Sequence, residues 1–131
     1  MPHKNPKILV VDDQSAIALT LAKILESEGY ETAVAHSGEA AIQVASSFVP
    51  DFIISDVTMG GISGIEAVMN ILEFQPHCKV LFFSGHAPCR DLLGQARSQG
   101  FDFEILAKPI APAELLERIA QVLPKPERKS A

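Results

Sequence analysis

Short apolar runs alternate along the chain with longer stretches in which apolar residues recur every three or four positions. The runs are Lys7–Val11 (KILVV), Phe52–Ser55 (FIIS), Lys79–Phe83 (KVLFF) and Phe103–Ala107 (FEILA), with a more polar one at Glu31–Ala35 (ETAVA). Their shortness and β-branched or aromatic content predict strands, and their near-continuous apolarity predicts a sheet covered on both faces. The polar Glu31–Ala35 run belongs near an edge. Between the runs, Ile17, Leu21, Ile24 and Leu25 share one helical face, and Gly29 stops that helix. Ser37 can cap a helix running to about Ser47. Ser63-Gly64-Ile65-Glu66 has capping-box spacing, with Ile65, Val68, Met69 and Leu72 as the apolar stripe behind it. A weaker helix over Arg90–Ser98 is interrupted by Gly94 and ended by Gly100. Pro112 suits the first turn of a last helix, with Leu115, Ile119, Val122 and Leu123 facing inward and a Glu114–Arg118 pair on its surface. Five β–α units with right-handed crossovers predict an α/β fold, a doubly wound parallel sheet of five strands with five helices. Residues 1–123 form one domain, and Pro124–Ala131 (PKPERKSA) is a flexible tail or the start of a linker.

The chain has 131 residues, enough to bury a core without disulfides or a structural metal. Its net charge of −5 supplies no basic surface for a nucleic-acid backbone. Cys78 and Cys89 lack metal-ligand spacing and read as free thiols of a reducing compartment. His3, His36, His77 and His86 are scattered, which favours solvated or hydrogen-bonded loop histidines over a zinc site. No secretory signal and no stretch long enough to span a bilayer is visible, so a soluble cytoplasmic protein is expected.

Chemistry gathers where the apolar runs end. Asp12-Asp13 closes the first, Asp56 the third, Ser84-Gly85 the fourth and Lys108-Pro109 the fifth. Singly, each has an ordinary reading: Asp13 or Ser15 can cap a helix, Ser84 can be a turn residue and Lys108 a surface charge. In a parallel sheet, however, strand exits share one edge. Three carboxylates meeting there repel unless a cation joins them, and hard oxygen ligands with room for water suit Mg²⁺ (or Mn²⁺). A carboxylate can serve as nucleophile toward phosphorus, with a lysine, a hydroxyl and backbone N–H groups receiving the phosphoryl oxygens.

The segments KILVVDD, DFIISDVTMGGISGIE, VLFFSG and LAKPI together resemble a response-regulator receiver domain of two-component signalling, over about Lys7 to Leu123. The resemblance implies a flavodoxin-like strand order 2-1-3-4-5. By resemblance, Asp56 is the phosphoacceptor, and Asp12, Asp13 and Asp56 hold Mg²⁺ with the Thr58 backbone carbonyl. Ser84, Gly85 and Lys108 would contact the phosphoryl group, and Pro109 would follow a cis peptide. Thr58 and His86 occupy positions that modulate hydrolysis in the family, His86 here read as passively lining the pocket. The implied partner is a sensor histidine kinase or a phosphotransfer protein. The implied output is a two-state change on the face of the fourth helix, fifth strand and fifth helix, which in relatives meets partners or a second receiver to form a homodimer. Neither nucleic acid nor membrane is expected to bind the domain directly, and it is no turnover enzyme beyond its own phosphorylation and dephosphorylation.

The sequence departs from the family pattern in two places. Gly60, followed by Gly61, replaces a proline four residues after Asp56, raising the entropy cost of ordering that loop. Ile105 stands where an aromatic switch residue is usual, with Phe103 two positions earlier reading as a core or surface-patch aromatic. These keep open an interaction module with weak or no phosphorylation. A haloacid-dehalogenase-type phosphatase would need a second Asp at position 58, which is Thr, and a cap domain for which there is no room. A flavodoxin would need a Ser/Thr/Gly-rich first loop instead of Asp12-Asp13-Gln14.

Overall fold

The computed structural model describes residues 5–85, 94, 96–101, 103–107 and 111–123. Five strands form one parallel sheet in the order β2-β1-β3-β4-β5. They are β1 (Lys7–Val11), β2 (Glu31–Ala35), β3 (Phe52–Asp56), β4 (Lys79–Ser84) and β5 (Ile105–Ala107). The helices are α1 (Ser15–Ser27), α2 (Gly38–Phe48), α3 (Gly64–Phe74) and α5 (Pro112–Val122). A further helix, α4, covers the helical positions 94 and 96–98. This is the flavodoxin-like arrangement expected.

Side chains alternate across each strand, so one strand feeds two cores. Leu9, Val11, Ile53 and Phe82 point to the face covered by α2, α3 and Ala96 of α4. Ile8, Val10, Ile54, Leu81 and Phe83 point to the face covered by α1 and α5. The interior run β3 is buried throughout, whereas β2 is polar because it lies at an edge. Ser37 and Ser63 cap α2 and α3 as expected, accepting hydrogen bonds from the N–H groups of Ala40 and Glu66. Gly29 and Gly100 end their helices at φ 99° and 92°, a region that costs glycine little.

Several expectations need correction. β5 begins at Ile105, because Phe103 turns its ring edge-on to Phe82 (centroids 5.0 Å apart) and stacks with Phe101 before the ladder starts. Val122 is 47% exposed, leaving Leu115 and Ile119 as the buried residues of α5. Arg118 pairs with Glu104 across the fold rather than with Glu114, since a residue beside β5 lies within reach of its guanidinium. Neither Asp13 nor Ser15 caps α1. Its N-cap is Gln14, with no side-chain bond, and the Gln14 N–H instead donates to the Asp12 carboxylate. The tail after Leu123 lies outside the described residues.

Val49 closes α2 in the left-handed region at φ 53° and is 54% exposed. A β-branched residue there is strained, and the strain stabilises nothing visible in the packing. Val49→Gly should therefore stabilise the domain by about 0.5–1 kcal/mol, the relief of strain exceeding glycine's unfolded-state entropy. A urea midpoint equal to or below that of the wild type would contradict this.

Candidate functional site

Register brings the acidic residues together. Val11 pairs with Ser55, so the next residues, Asp12 and Asp56, leave the sheet side by side. One carboxylate oxygen from each of Asp12, Asp13 and Asp56 lies within 4.8 Å of the others. Asp12 and Asp56 are buried and Asp13 is exposed, so the group opens to solvent on one side. A cleft of about 560 Å³ opens over it, lined by Asp13, Gln14, Ile17, Asp56, Thr58, Met59, Gly60 and Gly85.

Each acid is held by local chemistry. The Asp12 N–H donates to the Ala35 carbonyl at 3.1 Å, continuing the β1–β2 ladder by one residue. Its carboxylate accepts from the Gln14 N–H at 2.9 Å, which directs the chain into α1. The Asp56 carbonyl accepts from the buried Ser55 hydroxyl at 2.9 Å. Beyond it, the Val57 N–H donates to Phe83 and the Val57 carbonyl accepts from the Gly64 N–H at 2.8 Å. The start of α3 is thus tied to the end of β3. Gly64 fits only because it has no side chain, for a Cβ would overlap the Asp56 carbonyl oxygen.

Two like charges at this spacing repel by about 3–4 kcal/mol at an effective dielectric near 20. An all-oxygen, partly open set of three carboxylates fits a hard divalent cation that keeps some of its water. Of the remaining sequence-derived candidates, Thr58 and Gly85 line the same cleft. Ser84 is buried at the end of β4, where it pairs in register with Ala107. Lys108, Pro109 and His86 lie outside the described residues. Ile105 is half-buried in β5 opposite Phe82. Phe103 is not in the cleft; it lines a separate hollow of about 540 Å³ near the starts of β3 and β4. That hollow also contains Cys78, whose thiol is pushed up to about 12 by burial and then by the Asp51 carboxylate. The sequence reading missed the close packing of Gly64 on the end of β3. The available signal was a glycine at the first position of an otherwise good helix, a propensity loss that calls for a steric reason.

Residues 8–120 match the family described as the response regulator receiver domain. The chain belongs to that family. Receiver domains are phosphorylation-operated signalling switches, and the acidic pocket on which such a switch depends is present here. Among relatives, the transcriptional regulatory protein YvrH of Bacillus subtilis is 37% identical over 117 residues, covering 88% of this chain and 48% of that protein. The chemotaxis protein CheY of Treponema pallidum is 35% identical over 126 residues, covering 93% of this chain and 86% of that protein. The solved structure of Vibrio cholerae CheY4 superposes with a TM-score of 0.81 at 28% identity, covering 92% of this chain and all of that one. This receiver domain spans about half the length, or less, of the transcriptional regulators it matches. Among the described residues, no helix is long and apolar enough to cross a membrane.

Proposed function

We propose that this domain accepts a phosphoryl group on Asp56 from a histidine kinase or a phosphotransfer protein. The observation that carries the reading is the convergence of the Asp12, Asp13 and Asp56 carboxylates, with Asp13 and Asp56 lining one cleft. A carboxylate oxygen of Asp56 attacks phosphorus, the P–N bond to the donor's phosphohistidine breaks, and the electron pair leaves on the imidazole. The product is an aspartyl phosphate. Mg²⁺ (or Mn²⁺) held by Asp12, Asp13, Asp56 and the Thr58 carbonyl would offset charge on the transferring oxygens. Ser84, the Gly85 N–H and Lys108 receive the remaining oxygens, and Thr58 borders the group. The domain turns over no external substrate beyond this transfer and its own dephosphorylation. Its change of state is read by a partner, or by a second copy, at the α4-β5-α5 face.

Beryllofluoride with Mg²⁺ mimics the phosphoryl group and tests this directly. The wild-type protein should bind it and shift its amide NMR spectrum around the cleft, whereas Asp56→Ala should show no such shift. Failure of the wild type, or binding retained by Asp56→Ala, would favour an interaction module that does not use phosphorylation.

A further inference from the structure

We propose that His36 is a positioning residue for the metal site, holding the peptide plane that aims Asp13. The inference rests on the metal-binding reading of the three carboxylates. β2 ends at Ala35, whose carbonyl accepts the Asp12 N–H, and Ser37 caps α2 immediately afterwards. His36 is therefore pinned on both sides, in the turn beside the exit of β1. Its Nδ1 lies 3.1 Å from the backbone carbonyl oxygen of Asp12. A carbonyl oxygen only accepts, so Nδ1 carries the proton and donates.

Asp12 is then held at three atoms: its N–H by Ala35, its carboxylate by the Gln14 N–H and its carbonyl by His36. The Asp12 carbonyl and the Asp13 N–H belong to one planar peptide. Fixing that oxygen fixes the plane and the Asp13 N–Cα bond, and with the Gln14 N–H held on the far side it restricts the direction in which the Asp13 side chain leaves the backbone. This control matters because Asp13 is exposed, and among the described residues no hydrogen bond reaches its carboxylate. Asp12 and Asp56 are buried, and the Asp12 carboxylate accepts a hydrogen bond of its own, whereas exposed Asp13 is positioned by its backbone. Without the imidazole, the carbonyl turns toward water, and metal binding must then also order the Asp12–Asp13 peptide.

The test is Mg²⁺ affinity, measured by isothermal titration calorimetry on chelator-stripped protein, for wild type, His36→Ala, His36→Asn and His36→Gln. Asparagine places an amide N–H near the position of Nδ1, whereas glutamine carries it one carbon further out. His36→Ala and His36→Gln should each weaken Mg²⁺ by about 3- to 10-fold, up to the lower limit of the roughly 10- to 100-fold effects seen when the partners of metal ligands are removed, because the imidazole bonds the backbone and not a ligand oxygen. His36→Asn should return to within about twofold of wild type. Unchanged affinity in His36→Ala, even with a lowered unfolding temperature, would mean a merely structural bond and overturn the proposal. So would His36→Asn binding as weakly as His36→Ala. A wild-type protein that takes up no Mg²⁺ overturns the metal-site reading and this inference together, so the two failures are distinguishable.

Discussion

Gly64→Ala should destabilise the domain by at least about 2 kcal/mol, although helix propensity alone would favour alanine, by at most the roughly 1 kcal/mol of a helix interior. The two effects oppose, and sterics win because the obstacle is backbone. A Cβ at position 64 would meet the Asp56 carbonyl oxygen and the Ser55 hydroxyl, not the mobile end of a side chain. Relief requires α3 to withdraw from β3, stretching the Gly64 N–H bond to Val57. Asp56 would move with it, so beryllofluoride binding should weaken along with stability. Urea unfolding measures the first effect and an NMR titration the second. A Gly64→Ala protein more stable than the wild type would show that helix and strand have slack between them.

The second large effect is expected at Asp12. Asp12→Asn keeps an oxygen that can accept the Gln14 N–H, so the turn into α1 is retained. It removes one of three charges whose oxygens lie within 4.8 Å of one another. Losing an interaction of about 3 kcal/mol corresponds to a loss of Mg²⁺ affinity of roughly 100-fold. In chelator the cost of the substitution should shrink, because two carboxylate–carboxylate repulsions are removed with the charge. Calorimetry with and without Mg²⁺ reads both outcomes. A variant that binds Mg²⁺ like the wild type would remove Asp12 from the ligand set.

Much of the architecture was legible in the pattern of apolar positions, because burial on one or two faces imposes a period that survives in the sequence. β1 and β2 were readable to the residue, and β3 and β4 each proved one residue longer, ending on Asp56 and Ser84. The caps at Ser37 and Ser63 were equally readable, being local hydrogen bonds over three residues. Periodicity was a poor guide toward the chain's end. β5 is an edge strand of three residues, and the rings of Phe101 and Phe103 satisfy their burial by stacking, which an alternating pattern does not distinguish from a strand. Arg118 had a good partner at helical spacing in Glu114 yet pairs with Glu104, which is distant in sequence and near in space.

The sequence by itself determined that strands and helices alternate, that carboxylates terminate the first and third strands and that a serine terminates the fourth. These are statements about neighbours along the chain, where spacing and side-chain chemistry are sufficient. Only the tertiary structure decided that Val11 registers with Ser55, setting Asp12 beside Asp56, that Gly64 must pass against the Asp56 carbonyl and that the His36 ring returns to the Asp12 peptide. Such contacts join residues up to dozens of positions apart. Their geometry is set by strand order and by the packing of both sheet faces at once, which no local window contains.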